Sequence, residues 1–426
     1  MAIRTQDLLG QVQAPPEFNL DSLFRYAEAN VEGFPLSPSK FTLSQFGHGQ
    51  SNPTFLMEVS SENSVKCYVL RKKPAGKILE SAHAVEREFQ VKFIKLSYIV
   101  DNKERRRDIL MPGCFVLHAL GAHTEVPVPN VFCLCTDPSV IGTAFYIMEF
   151  LEGRIFLDAK LPGVNPNTRK AMFRETAKTL ASLHSVDVDA IGLGKYGRRD
   201  SYCKRQVERW AKQYVASTGE GKPDRNLKML ELVNWLRQHI PLEDTAEGAG
   251  GLVHGDFRID NLVFHPIEDR VIGILDWELS TLGNQMSDVA YNCMPYIVDL
   301  QHENVGAYGG LEYSGIPEGI PSQAEYLAEY CSAAGKPWPA ANWKFYVAFS
   351  LFRGASIFAG VYHRWTLGNA SGGERAENAE RFGNALIDSA WEFIHRKTVL
   401  PGRPPLSGNL VLRCLEYACS GLGVHF

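Results

Sequence analysis

The period of apolar and polar positions along this chain changes once, sharply, near residue 153. Before it, Phe41-Thr42-Leu43-Ser44-Gln45-Phe46 alternates apolar with polar, the repeat of a half-buried strand. The turn cluster Gly47-His48-Gly49-Gln50-Ser51-Asn52-Pro53 follows, and 54–59 and 65–71 predict two more strands. Over 77–96 the apolar residues Ile78, Ala82, Val85, Phe89 and Phe93 fall at helical spacing, with acidic residues on another face. Residues 131–135 and 144–150 return to strand character. Residues 39–150 therefore predict a small antiparallel sheet with one helix. Residues 1–38 read as a loosely ordered lead-in carrying a helix over 21–29. Within 97–120 a charge run at 103–107 and the breaker pair Pro112-Gly113 predict a surface loop.

After Gly153 helical spacing dominates, over 167–184, 202–217, 228–239, 323–334, 341–366 and 376–397. Between these lies 252–280, where Leu262-Val263-Phe264 and Val271-Ile272-Gly273-Ile274-Leu275 flank the turn Glu268-Asp269-Arg270, a predicted hairpin. The expected organisation is α+β: a lead-in at 1–38, a sheet lobe at 39–150, a mostly helical lobe at 151–397 and a tail at 398–426.

Composition narrows the function classes. The 426 residues are 45% apolar and 22% charged, the balance of a globular protein with room for a large core. A formal net charge of −4 argues against nucleic acid as the main partner. The nine cysteines form no C-x-x-C pair, so a zinc site is not expected. They read as reduced and packed, which fits an intracellular compartment, and Cys133 and Cys135 should share one strand face. Residues 1–15 lack the apolar core of a secretory signal, and no run of about 18 uncharged apolar residues predicts a membrane span.

The chemistry concentrates in His254-Gly255-Asp256-Phe257-Arg258-Ile259-Asp260-Asn261. Asp256 and Asn261 have the Asp-x-x-x-x-Asn spacing of a kinase catalytic loop, in which the aspartate faces an incoming hydroxyl and the asparagine oxygen reaches a metal. Asp276 follows a buried apolar strand, where an acid is costly unless paired or metal-bound, so it reads as the main magnesium ligand. His254 reads as a brace for the loop and Asp260 as a salt-bridged surface acid. Gly47 and Gly49 let a turn approach phosphates, with Ser51 and Asn52 as donors. The Gly-x-x-x-x-Gly-Lys-Ser/Thr loop of P-loop enzymes is lacking. On the strand at 65–71, Arg71 shares a face with Val69 and can meet the α/β-phosphates, with Glu88 as its candidate helix partner and Glu86 as the rival. The linker Tyr146-Ile147-Met148-Glu149-Phe150-Leu151-Glu152-Gly153 suits an adenine ring, with Met148, Glu149 and Leu151 around it. The predicted cofactors are thus ATP and Mg2+.

These motifs, with Leu183-His184 and Asp288, resemble the aminoglycoside phosphotransferase/choline kinase-like family over about residues 40–395. That likeness implies a two-lobed protein-kinase-like fold and phosphorylation of a small-molecule hydroxyl. The wording Asp256-Phe257-Arg258-Ile259-Asp260-Asn261-Leu262-Val263-Phe264-His265-Pro266 and Asp276-Trp277-Glu278-Leu279-Ser280-Thr281-Leu282-Gly283 is narrower. It resembles the N-terminal kinase part of acyl-CoA dehydrogenase family members ten and eleven, with Gly153-Arg154-Ile155-Phe156 nearer to eleven. This implies a 4-hydroxyacyl-CoA acceptor, a peroxisomal or mitochondrial setting, and a flavin dehydrogenase domain that is not expected in this chain. Arg71 stands where the family usually has lysine, a change of donor geometry. Basic residues Arg198, Arg199, Lys204, Arg205 and Arg209 are candidates for an acyl-CoA's phosphates. A nucleotide-binding pseudokinase scaffold and a choline-, sugar- or aminoglycoside-type kinase are the competing readings.

Overall fold

The computed structural model describes residues 3–5, 9–13, 19–36, 38–46, 52–62, 64–73, 112–219, 226–245, 250–298, 309–311, 315–367 and 377–396. Its first lobe is a six-stranded antiparallel sheet. The strands are β2 (Leu9–Gln13), β3 (Lys40–Phe46), β4 (Thr54–Ser61), β5 (Ser64–Lys72), β6 (Val131–Cys135) and β7 (Phe145–Glu149), in the order β2-β3-β4-β5-β7-β6. Strand alternation sorts the side chains of β5. Tyr68 and Leu70 join an outer core with Phe55, Met57, Phe145 and Ile147, capped by Leu23 and Ala27 of α1 (Leu20–Asn30). Val69 faces the opposite way, into the main core with Met148 and Tyr146, so Arg71 turns toward the cleft as its spacing predicts. Cys133 and Cys135 are both buried in the outer core, on one face of β6.

Two expectations for this lobe are corrected. The lead-in at 1–38 carries the expected helix, α1, but also contributes two strands. β1 (Ile3–Arg4) pairs with β8 (Arg154–Ile155) beyond the linker, and β2 pairs with β3. Two-residue strands have too little length for a period, so pairing partners far along the chain decide them. Second, the last part of the expected loop at 97–120 is helical: α2 spans Pro112–His123. Pro112 sits at the helix start, where a missing N–H is harmless. Gly113 lets the helix approach Trp277, whose Cβ would lie 3.4 Å from an added methyl. Val116, Leu117, Ala119 and Leu120 are all buried, so the helix is apolar on several faces and shows no amphipathic period. Residues 77–96, the expected helix, lie outside the described residues, as does the expected tail.

The second lobe is built on helices whose ends the sequence marks. α4 (Pro166–His184) starts from an Asn165 cap, whose Oδ1 accepts the Thr168 N–H, with Pro166 at its first position. It buries Met172, Phe173, Ala177, Leu180 and Leu183 along one stripe. Each large apolar side chain so buried contributes about 1.5–3 kcal/mol. α5 (Tyr202–Thr218), α6 (Leu227–Gln238), α7 (Met286–Asn292), α8 (Gln323–Ala333), α9 (Trp343–Thr366) and the last described helix, Ala379–His395, complete the layer. α8 begins with a reciprocal capping box between Ser322 and Glu325. α9 is long and apolar enough to cross a membrane by length and composition, but most of it is buried against α5, α7 and the last helix. β9 (Gly251–Val253) pairs with β12 (Thr281–Gly283), and β10 (Leu262–Phe264) with β11 (Val271–Ile274), the predicted hairpin.

Candidate active site

The loop from His254 to Asn261 connects β9 to β10, and its backbone is fixed from three sides. Asp288, fully buried on α7, accepts the His254 N–H through Oδ2 at 2.6 Å and the Gly255 N–H through Oδ1 at 2.8 Å. His184, at the end of α4, lies 3.4 Å from Asp288 Oδ2 through Nε2, and its Nδ1 is 2.7 Å from the Tyr330 hydroxyl. The tautomer that satisfies both has Nε2–H donating to Asp288 and Tyr330 O–H donating to Nδ1. Burial would raise the Asp288 carboxyl, but the hydrogen bonds from His184 and the Gly255 amide outweigh it and hold it below the usual range. From α9, the buried Arg353 guanidinium donates to the Gly255 carbonyl, sandwiched between Tyr291 and Trp210 rings at 5.2 and 5.9 Å. Asn292 donates to the Phe257 carbonyl at 3.3 Å. Gly255 has φ +86°, and a Cβ there would fall 2.5 Å from the Leu279 carbonyl oxygen. Only glycine fits this corner.

His254 braces the loop, as expected. Its Nε2 is 2.9 Å from the Leu275 carbonyl, and its Nδ1 accepts the Asp256 N–H at 3.1 Å. That pattern requires the neutral ring, and burial lowers its pKa in agreement.

Asn261 then joins the two halves of the chemistry. Its amide nitrogen donates to Asp256, at 2.8 Å to the carbonyl and 3.0 Å to Oδ2. Its backbone carbonyl accepts the Leu275 N–H at 2.8 Å, within the hairpin that ends at Asp276. The committed nitrogen leaves the other arm of the amide, the oxygen, for a cation. Asp276 has φ +63° and ψ +61°, an uncommon conformation for a residue with a side chain. Trp277 behind it is buried and anchored by Nε1 to the Ile274 carbonyl at 2.8 Å.

The charges are arranged as two sets. Arg258 lies 3.6 Å from Asp256 Oδ1 and 3.1 Å from Asp260 Oδ2. Asp260 is therefore salt-bridged, but its side chain is only 19% exposed, not the surface acid expected. Burial pushes its carboxyl up, against the pull of Arg258. In the second set, Arg71 Nη2 contacts Asp276 Oδ1 at 2.6 Å and Glu278 Oε2 at 2.8 Å. Burial would raise the Asp276 carboxyl, but Arg71 outweighs it and lowers it. Asn52 Nδ2 donates to the same Glu278 oxygen at 2.9 Å.

A magnesium–nucleotide fits this donor set. Asp276 and the Asn261 amide oxygen are the hard oxygen donors that magnesium takes. Among the described residues no three His, Cys, Asp or Glu side chains form a metal cage. An ion here would need phosphate and water oxygens, the ordinary habit of magnesium.

Of the residues singled out in the sequence, Asn52, Arg71, Asp256, Asn261 and Asp276 converge. Gly47, Gly49, Ser51 and Glu88 lie outside the described residues. Met148 is buried beneath the linker, opposite Val69. Leu151 packs on Gly273, where a Cβ would meet its Cδ1 at 2.1 Å. Glu149 is engaged with Asn130: its N–H donates to the Asn130 carbonyl, and its carboxylate accepts the Asn130 amide at 2.7 Å. The basic candidates near α5 are partly neutralised. Arg198 pairs with Asp200, Arg199 pairs with Asp189, and Arg209 lies over Trp210. Sequence reasoning missed Glu278 as the acid holding Arg71, although it stands in the quoted Asp-Trp-Glu motif. It also missed Arg353, Asn292 and Tyr330, whose roles depend on contacts across long stretches of chain.

Known proteins agree with this architecture. The chain is 64% identical over 423 residues to the probable acyl-CoA dehydrogenase IBR3 of Arabidopsis thaliana, covering 99% of this chain and 48% of that protein. It is 39% identical over 401 residues to acyl-CoA dehydrogenase family member 11 of Homo sapiens, covering 92% and 45%. It thus spans about half the length of these curated relatives. Among solved structures, a Ralstonia eutropha protein assigned as an aminoglycoside phosphotransferase superposes with a TM-score of 0.67 at 39% identity, covering 88% of this chain and 98% of that one. The phosphotransferase enzyme family model matches residues 42–334, which include β4, β5, the linker, the catalytic loop and Asp276. With a two-lobed kinase-like fold and these motifs in place, the chain belongs to the phosphotransferase enzyme family.

Proposed function

We propose that this chain is an ATP- and magnesium-dependent kinase that phosphorylates a hydroxyl of a small molecule, with a 4-hydroxyacyl-CoA as acceptor. One observation carries the reading: Asn261 bonds Asp256 through its side chain and the Asp276 hairpin through its backbone, so one residue ties the proton acceptor to the metal ligands. Asp256 orients the acceptor O–H and takes its proton as the oxygen attacks the γ-phosphorus. The new O–P bond forms as the bond to the leaving ADP oxygen breaks. Asn261 and Asp276 would hold magnesium, which supplies charge neutralisation across the β- and γ-phosphates when bound. Arg71 and Asn52 face the phosphates from the sheet lobe, and Met148 and Leu151 line the adenine side. The acyl-CoA class rests on the names of the relatives, two of which are acyl-CoA dehydrogenases or members of that family.

The test is ADP release and product mass with purified protein, Mg2+ and ATP against 4-hydroxyacyl-CoAs, choline and an aminoglycoside. Acceptor-dependent ADP with the acyl-CoA is expected, and Asp256→Ala should lower turnover about 10²–10⁴-fold while keeping nucleotide affinity. Near-normal turnover in that variant would remove Asp256 from the mechanism. The Arg71 contact on Asp276 favours one competing reading, a nucleotide-binding scaffold whose metal position is closed by an arginine. ATP binding without turnover of any acceptor would select it.

A further inference from the structure

We propose that Glu278 is a positioning residue for the nucleotide: its carboxylate anchors Arg71 and Asn52 in the cleft, so that Arg71 can release Asp276 without leaving the site. The inference rests on the kinase reading above. Arg71 Nη2 is shared between Asp276 Oδ1 at 2.6 Å and Glu278 Oε2 at 2.8 Å. For Asp276 to ligate magnesium, Arg71 must give up that first oxygen. The Arg71 side chain is only 13% exposed, and a buried guanidinium stripped of its acid would be strongly destabilised. Glu278 supplies the second acid.

Its placement is rigid. Glu278 follows Trp277, whose ring is buried and bonded to Ile274, and the Ser280 N–H closes the turn onto the Trp277 carbonyl at 3.2 Å. Asp276 and Glu278 thus stand on the two sides of one fixed side chain. Glu278 also gathers donors from β5 and from the approach to β4. Arg71 lies directly opposite Thr54 in the β4–β5 register, and Asn52 is two residues before Thr54. One carboxylate oxygen therefore ties Asn52 and Arg71 of the sheet lobe to the metal-ligand segment of the other lobe. The ordinary kinase arrangement sets the strand cation against a helix glutamate. Here an acid from the opposite lobe takes a share of that work, through the same guanidinium nitrogen that meets Asp276.

The experiment measures nucleotide affinity directly, by calorimetry, for ATP with and without Mg2+, in wild type, Glu278→Gln, Glu278→Asp, Asp276→Asn, Arg71→Met and the Arg71→Met/Glu278→Gln double variant. Glu278→Gln should weaken Mg–ATP binding about tenfold or more, the loss expected for one charge-assisted bond. Glu278→Asp should restore part of it. The Mg2+ titration midpoint at fixed ATP should stay put in Glu278→Gln and rise in Asp276→Asn, which separates anchoring from metal ligation. The double variant should bind no worse than Arg71→Met. Additive losses, or wild-type affinity in Glu278→Gln, would overturn the proposal while leaving the kinase reading intact. Absence of nucleotide binding by the wild-type protein would overturn both.

Discussion

Asp288→Asn removes the charge from the carboxylate that holds the His254 and Gly255 amides, with little change of shape. An asparagine has one acceptor oxygen, so one of the two backbone N–H groups must face an NH2 donor instead. The variant loses a hydrogen bond to a charged acceptor, about 1.5–3 kcal/mol, and leaves a buried donor unmatched, about 1–3 kcal/mol. Because Asp288 is fully buried, water cannot repair the loss. A destabilisation of about 3–5 kcal/mol follows at neutral pH, a large part of a typical domain's stability. Urea unfolding followed by intrinsic fluorescence reads it as a lowered midpoint at unchanged slope. The effect also has a pH signature. The folded Asp288 carboxyl sits below its unfolded value, so its stabilisation is complete above about pH 4 and is lost as pH falls through the folded value. The gap between wild type and variant should therefore be constant above about pH 4 and begin to narrow below it. A midpoint shift worth less than about 0.5 kcal/mol at pH 7, the size of an ordinary surface change, would refute the idea that Asp288 organises the loop.

Two further outcomes follow from the same loop. Gly255→Ala should destabilise by about 2–4 kcal/mol, from the left-handed backbone and the collision with the Leu279 carbonyl, and should depress turnover; thermal unfolding and an ADP assay check both. His184 and His254 are buried with lowered pKa values, so the unfolded chain binds more protons below about pH 6.5 and stability declines there, levelling off above it. Unfolding midpoints from pH 8 to pH 5 should show this slope, and His184→Gln should flatten it; identical slopes would count against the neutral, bonded imidazole.

Much of the helical lobe was legible because its surface helices declare themselves. Asn165-Pro166 and Ser322 with Glu325 mark starts, and the apolar stripe of α4 sets its length. The 262–264 and 271–275 runs were readable as a hairpin from the turn between them. α2 was not, because a helix buried on several sides has no polar face to reveal a period, and Pro112-Gly113 looks like an interruption when it is a start. At the site, Asp256, Asn261 and Asp276 could be read from spacing, since one loop and one hairpin carry all three. The partner of Arg71 could not. Glu278 is more than two hundred positions away, and only the closing of the two lobes onto each other brings it to that guanidinium. The same holds for Arg353, which a sequence presents as one more cation within an apolar helix.

That arginine has a consequence for how such a protein could be controlled. Arg353 roots the Gly255 carbonyl in the middle of α9, which itself packs on α5, α7 and the last helix. Loosening the Gly255 corner therefore means loosening its hold on that helix, so its amide protons should exchange slowly, on the scale of the helical body's opening. Any graded switching of this protein has to enter from the sheet side of the cleft, where contacts are made by side-chain tips and can be traded without melting anything.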